Sequence, residues 1–429
     1  MKNKVICCLL LASLIALLVG CAGGATPEPE PMWASEPQGY VTAIGADLYT
    51  AAEGGEYIRL TGINAGGWLL PEEWMQPLSL SGNLSLEDGF YDFYDALSVN
   101  LGAEQAEALY QAHIAHWWTE ADFDNCQAMG CNVIRLPFGW RNLCTEDGTL
   151  KEDAFVLLDW FVTEAGKRGM YTILDMHGAF GSQNGRHHSG VTRAELFYGD
   201  DALRNQVKTE ALWVAIATHY RDNRWVAGYD LLNEPEGQPG GLTGEMQWDY
   251  FDRLYRAIRE VDSHHLIVME ACWEASALPY PEDYGWQNVA YEYHYYNNND
   301  QSQSGYELFM AGKLVLNSLL DYGVPIYVGE FSFGGDRSIY EWGLNTYNEQ
   351  GYSWTMWTYK VVCTFHGNWG VYYIDHRDRD NVALPTDAYQ VILGKWSLTT
   401  ADFTPHPWLA EVLHEYSWGV WQPDLEEEE

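Results

Sequence analysis

Basic residues are scarce in this 429-residue chain: 23 Lys and Arg stand against 61 Asp and Glu, giving a formal net charge of −38. A surface of that sign repels nucleic acid, anionic lipid headgroups and acidic glycans, and it fits a soluble enzyme acting on an uncharged polymer. Metal-binding cysteine patterns are lacking as well. Cys7 and Cys8 fall in the N-terminal segment, and Cys126, Cys131, Cys144, Cys272 and Cys363 form no Cys-x-x-Cys pair and no zinc spacing. Their odd number leaves at least one free or paired between chains, and most are expected to be buried as small hydrophobes. No internal repeat of about 20–50 residues is visible, and no second linker divides the chain.

Aromatic residues, by contrast, are plentiful. The 20 Trp and 29 Tyr exceed what core packing usually needs, so many are expected near the surface or along a cleft, where flat rings suit the CH faces of sugars. At the N-terminus, Lys2 and Lys4 precede an apolar run from Val5 to Val19, too short for a mature membrane span. Residues 1–20 therefore read as a signal peptide. The run ends in Leu18-Val19-Gly20-Cys21, the pattern of a bacterial lipoprotein processing site, so Cys21 is the expected lipid-bearing residue. Residues 21–38, with the stiff stretch Thr26 to Pro31, form a tether. The catalytic body is expected over 39–424, followed by a disordered acidic tail, Leu425 to Glu429. An extracellular protein anchored to the bacterial cell surface follows.

The body alternates short apolar runs with helical stretches. Candidate strands are 58–63, 132–136, 170–176, 226–232, 266–270, 289–294, 325–331 and 352–359, with helical patterns such as 120–129, 152–168, 202–220, 246–261 and 308–322 between them. Eight such runs, each with room for a following helix, predict an α/β fold with a single (β/α)8 barrel. Burial on both faces explains why the strands are almost continuously hydrophobic. Arg135, His177, Asn233, Glu234, His294, Glu330 and Trp357 fall at or near the C-terminal ends of these strands, the end where barrel enzymes carry their chemistry. Residues 74–109 read as a long loop decorated with short helices.

Retaining cleavage of a β-glycosidic bond needs one protonated and one ionised carboxyl group on opposite sides of the anomeric carbon. Separate strands supply the two environments this requires. Glu234 ends a strand stopped by Pro235 and is the expected acid/base, with Asn233 beside it placed to hold the sugar 2-hydroxyl. Glu330 ends the apolar run from Ile326, where an ionisable group without purpose or partner would cost several kcal/mol. Arg135 is the expected partner, keeping Glu330 charged and nucleophilic by Coulomb attraction, and Tyr296 is placed to donate a hydrogen bond to it. His177 and His294 are placed to bind hydroxyls or to tune the carboxyl groups.

These motifs resemble family 5 of the glycoside hydrolases, the cellulase-like clan. The matching segments are Asn132 to Pro137, Asp175 to His177, Leu232 to Pro235, His294 to Tyr296, Val328 to Glu330 and Trp357 to Lys360, in the family's order. The resemblance implies a functional set of Arg135, His177, Asn233, Glu234, His294, Tyr296, Glu330 and Trp357, with the acid/base after strand 4, the nucleophile after strand 7 and Trp357 as the floor under the reacting sugar. Segments 62–68, 115–123 and 177–185 are similar to the exo-β-1,3-glucanase branch, which implies a glucose-binding carboxylate at Glu72. That branch has Pro where this chain has Phe180, an Asp-Asn pair where it has His187 and His188, and Trp where it has Phe331. The sugar-binding end is thus expected to differ from that branch. Trp68, Trp140, Trp273 and Trp369 are further candidate sugar platforms.

The expected activity is hydrolysis of a neutral β-glucan or a derived oligosaccharide by a monomeric enzyme, with no metal or organic cofactor. Alternatives are the same machinery acting on β-mannan or another hemicellulose, decided by loops 74–109 and 181–198, and a surface lipoprotein that binds glycans without cleaving them. A mere binder, however, has no need for two carboxylates on separate strand ends.

Overall fold

The computed structural model describes residues 36–78, 88–235, 244–364, 369–375, 381–384 and 386–421. The expected signal segment, the lipid-bearing Cys21, most of the tether, the acidic tail and the Cys363 side chain lie outside the described residues. Eight parallel strands close into a barrel: β1 (Thr61–Asn64), β2 (Val133–Gly139), β3 (Tyr171–Gly178), β4 (Val226–Asp230), β5 (Leu266–Glu270), β6 (Val289–Tyr296), β7 (Ile326–Ser332) and β8 (Ser353–Met356), with β8 pairing back onto β1. Every residue of β2, β3, β4 and β5 is buried, as strands covered by helices outside and by side chains inside must be.

Helices cover the outside between strands, among them Glu120–Ala128, Val156–Lys167, Ala202–Tyr220, Gly244–Arg259, Gln303–Leu320 and Arg337–Glu349. Each buries a periodic apolar stripe, as in Leu212, Trp213, Ile216 and Tyr220 of Ala202–Tyr220. The segment expected as a decorated loop is more regular than that. It carries two full helices, Phe90–Leu101 and Ala103–Trp117, the second burying Ala106, Leu109, His113, Ile114 and Trp117 at helical spacing. Loop-like polar residues sit on their outer faces, which obscured the periodicity.

The lower end of the barrel is closed by a three-stranded antiparallel sheet, Thr42–Ile44, Asp47–Tyr49 and Tyr57–Ile58. Its Val41, Leu48 and Ile58 share a core with Val133, Tyr171, Ala227 and Leu266, residues at or near the starts of their strands. That plug leaves the opposite, C-terminal end for chemistry. Gly329 permits the closest approach inside the barrel. A Cβ there would lie 1.5 Å from Glu292 Oε1, so β7 can pack against β6 only without a side chain at this position.

Many of the tryptophans serve the core. Trp68, Trp117, Trp118, Trp213, Trp354 and Trp396 are fully buried. Trp68, expected as a sugar platform, packs on Trp160 and Phe161 and donates to the Ile114 carbonyl at 3.0 Å. Cys126, Cys131 and Cys144 are free thiols, and they and Cys272 are buried.

Candidate active site

Arg135 on β2 organises the upper barrel. Its guanidinium is fully buried and donates to Glu330 Oε1 at 2.9 Å, Asn233 Oδ1 at 2.9 Å, Asn64 Oδ1 at 3.1 Å and Asp230 Oδ2 at 2.7 Å. Asp175 lies 3.1 Å away and Glu292 3.4 Å. A cation that cannot lose its proton is thereby matched by acids from four strands, which repays part of its desolvation.

Glu330 and Glu234 reach the barrel mouth with 5% and 7% exposure, enough for contact with a substrate. The Tyr296 hydroxyl donates to Glu330 Oε2 at 2.9 Å, so Tyr296 and Arg135 between them fix both oxygens of that carboxyl group. Burial raises the pKa of Glu330, while His294 and Arg135 lower it and Glu234 raises it; the net direction is upward. Arg135 acts on this carboxyl in the direction expected from the sequence, and desolvation by burial is the larger effect.

Glu234 follows β4 with φ of +42°, a left-handed conformation that costs a non-glycine residue about 1–3 kcal/mol. Two contacts hold it there: the Glu234 N–H donates to Glu270 Oε2 at 2.5 Å, and the Asn184 amide donates to the Glu234 carbonyl at 2.9 Å. The carboxyl group meets His294 Nδ1 at 2.8 Å through Oε1 and His188 Nε2 at 3.3 Å through Oε2. Burial lowers the pKa of His294 to about 3, so this imidazole is neutral at neutral pH. His177 differs. Burial lowers its pKa, but Asp175, 2.8 Å from Nδ1, overcomes this and the net direction is upward.

Trp357 lies stacked on His177, ring centroids 5.4 Å apart at 9°. An aromatic wall continues through Tyr296, Trp369 and Trp74, with centroid distances of 5.3 and 5.5 Å, and Trp273 lies 6.3 Å from Tyr296. Glu72 accepts from Trp74 Nε1 at 2.7 Å and lies 3.3 Å from His187 Nε2. Trp140, by contrast, is stacked on Phe180 at 4.3 Å and lines a separate cavity with Tyr91 and Tyr110.

The structure thus brings together Arg135, His177, Asn233, Glu234, His294, Tyr296, Glu330 and Trp357. Sequence reasoning did not place Asn64, Asp230, Glu270 and Glu292 in the site, and it marked His188 only as a departure from the exo-β-1,3-glucanase branch. Glu292 lies two residues before His294, on the same face of β6, and Glu270 ends β5, so strand periodicity held a signal for both. Burial, followed by repulsion from neighbouring acids, pushes the pKa values of Glu270 and Glu292 well above the ordinary carboxylate range, with Arg135 acting against the shift. Two groups, Glu234–Glu270–His294 and Asp230–Glu270–Glu292, place ligand-type atoms within 4.8 Å of one another. The second already faces the Arg135 guanidinium.

Residues 102–361 match the family model described as Cellulase (glycosyl hydrolase family 5). A beta-xylosidase of Phanerodontia chrysosporium is 30% identical over 346 residues, covering 72% of this chain and 68% of that protein. A glucan 1,3-beta-glucosidase of Candida oleophila is 30% identical over 258 residues, 57% of this chain and 59% of that protein. The chain therefore spans about three fifths of that relative's length. Among solved structures, the rutinosidase from Aspergillus niger superposes with a TM-score of 0.59 at 17% identity, covering 73% of this chain and 95% of the other, a likeness of fold.

Proposed function

The chain belongs to glycosyl hydrolase family 5 and is a glycoside hydrolase, and from that premise we propose that it is a retaining β-glycosidase acting on a neutral β-glucan or a glucan-derived oligosaccharide. Glu330 is the nucleophile in this reading and Glu234 the acid/base. In the first step a Glu330 oxygen forms a bond to the anomeric carbon while the glycosidic C–O bond breaks, and the Glu234 proton goes to the leaving oxygen. In the second, water attacks that carbon, its proton passes to Glu234, and the Glu330 ester bond breaks.

One observation carries this reading. His294 Nδ1 lies 2.8 Å from Glu234 Oε1 and 3.5 Å from Glu330 Oε2, so these two oxygens converge on one imidazole nitrogen and lie at most about 6.3 Å apart, which accommodates the retaining spacing of about 5–5.5 Å between carboxyl groups. The two carboxyl groups also sit in different settings, as their roles demand. Arg135 and Tyr296 bond the two oxygens of Glu330, which favours the charged form, whereas Glu234 meets two imidazoles. Asn233, oriented by Arg135, is assigned to the sugar 2-hydroxyl, Trp357 to the floor of the site, and Glu72 to a sugar hydroxyl. His177 supports Trp357 by stacking.

A second reading, cleavage of β-xylosides, is favoured by the beta-xylosidase of Phanerodontia chrysosporium among the relatives. Product release from laminarin, lichenan, cellulose, mannan and aryl β-glucosides and β-xylosides separates the two. Glucose or glucan oligosaccharides are expected; preferential release from the xyloside would establish the second reading. Binding to glucan with no product from any substrate would contradict both. The Leu18 to Cys21 pattern supports attachment of the enzyme to the outer face of a bacterial membrane through a lipid on Cys21.

A further inference from the structure

His188 sits on the short 3-10 turn His187–Ser189, in a loop after β3, and is 8% exposed. Its tautomer follows from its neighbours. Arg135 has no acceptor atoms, so the Asn233 atom that meets Nη2 at 2.9 Å is the amide oxygen. That turns the Asn233 NH2 group toward His188 Nδ1, 3.3 Å away. A donor facing Nδ1 requires Nδ1 to accept. The Asn184 amide is fixed in the same manner, its oxygen accepting from the Arg186 N–H and its NH2 donating to the Glu234 carbonyl, although that nitrogen also lies 3.4 Å from His188 Nε2. Both ring nitrogens thus face an amide NH2, at 3.3 and 3.4 Å, but Nε2 also faces an acceptor, Glu234 Oε2 at 3.3 Å, so in a neutral imidazole the single hydrogen resides on Nε2.

We propose that His188 is a positioning residue for the acid/base: it completes a directed hydrogen-bond chain, Arg135 to Asn233 to His188 to Glu234, that orients the Glu234 carboxyl group and favours its ionised form. This rests on the assignment of Glu234 as acid/base. The chain links the residue assigned to the sugar 2-hydroxyl to the proton donor, so occupancy at one end is felt at the other. Donation to a carboxylate lowers its proton affinity. Other titratable groups around Glu234 include His294 at 2.8 Å, Glu270 at its backbone N–H, Tyr296, whose hydroxyl feels the Glu234 charge, and Glu330, which shares His294 Nδ1. His188 is itself flanked by His177 and His187, with ring centroids at 5.7 and 5.5 Å, and by Arg186. Burial, with electrostatic repulsion from its basic neighbours adding to it, pushes His188 well below the ordinary histidine range, consistent with a neutral ring.

Three substitutions separate the two ends of the ring. His188→Gln keeps a donor at the Nε2 position, His188→Asn keeps an acceptor at the Nδ1 position, and His188→Ala keeps neither. The readout is kcat/KM against pH for the full chain on phenyl β-glucoside, whose poor leaving group needs the proton, and on 2,4-dinitrophenyl β-glucoside, whose leaving group does not. His188→Ala and His188→Asn are expected to move the basic limb up by about one pH unit on the phenyl substrate, the tenfold change in proton affinity that loss of one donor produces. His188→Gln is expected to keep the wild-type limb, and none is expected to move the profile on the dinitrophenyl substrate. An unmoved limb in His188→Asn, or an equal shift in His188→Gln, overturns the proposal even if His188→Ala fails to fold. Glu234→Gln, measured in parallel, isolates the underlying assignment: equal loss on both substrates would remove the acid/base reading, and this proposal with it.

Discussion

The Arg135 guanidinium donates to Glu330 Oε1 at 2.9 Å where neither group has more than a trace of solvent contact. Arg135 lowers the proton affinity of Glu330, against burial, which raises it. Loss of Arg135 would therefore raise the pKa of Glu330 further, and the acid limb of kcat/KM should move to higher pH. Arg135→Ala should also leave Asp175, Asp230 and Glu292 without their cation, at a cost of about 3–5 kcal/mol in stability. A pH–rate profile and a denaturant titration measure the two effects separately.

Glu330→Gln should abolish turnover on every substrate. Glu234→Gln should retain the first step on activated aryl glycosides while losing about 10²–10⁴-fold on natural ones, because a good leaving group needs little protonation. Burst kinetics on a dinitrophenyl glycoside check this. Equal loss on both substrate types would contradict the roles assigned.

Gly329→Ala places a methyl group 1.5 Å from Glu292 Oε1, against a buried side chain in the barrel centre. It should destabilise the protein by at least about 1–3 kcal/mol. Gly312→Ala is the matched control. That glycine lies in the helix Gln303–Leu320, has nothing within 4 Å of its would-be Cβ, and should gain about 0.5–1 kcal/mol. Thermal unfolding of the two variants should diverge in sign.

Much of the site was legible because barrel geometry converts a one-dimensional pattern into a place. Strands buried on both faces tolerate a polar residue chiefly where it acts, so His177, Glu234 and Glu330 stood out at the ends of apolar runs. The eight strands appeared within a few residues of their bounds for the same reason, as with β5, Leu266–Glu270. What stayed hidden depended on contacts far apart in sequence. His188 belongs to a loop turn and meets Asn233 across 45 residues, a pairing no local pattern announces. Trp68 looked like a platform because a ring after β1 can face the cleft or the helices, and only packing on Trp160 and Phe161 decides. The plug sheet was missed because Thr42–Ile44 and Tyr57–Ile58 are too short to show a period.

Glu72, joined to Trp74 and His187, is assigned to a sugar hydroxyl and lies outside the pair proposed as nucleophile and acid/base. Glu72→Ala should raise KM on oligosaccharides by about 10–100-fold, the range of a lost charged hydrogen bond, with a smaller change in kcat. Steady-state kinetics on laminari-oligosaccharides measure both. A fall in kcat alone would place Glu72 among the reacting groups instead.

The stereochemistry of the product tests the double displacement most directly. Proton NMR during the first minutes of hydrolysis of an aryl β-glucoside records which anomer of the sugar appears before mutarotation. With Glu234 and Glu330 close enough to share His294 Nδ1, the β-anomer should appear first and the α-anomer only later. The α-anomer appearing first would mean a single displacement by water and would contradict Glu330 as the nucleophile.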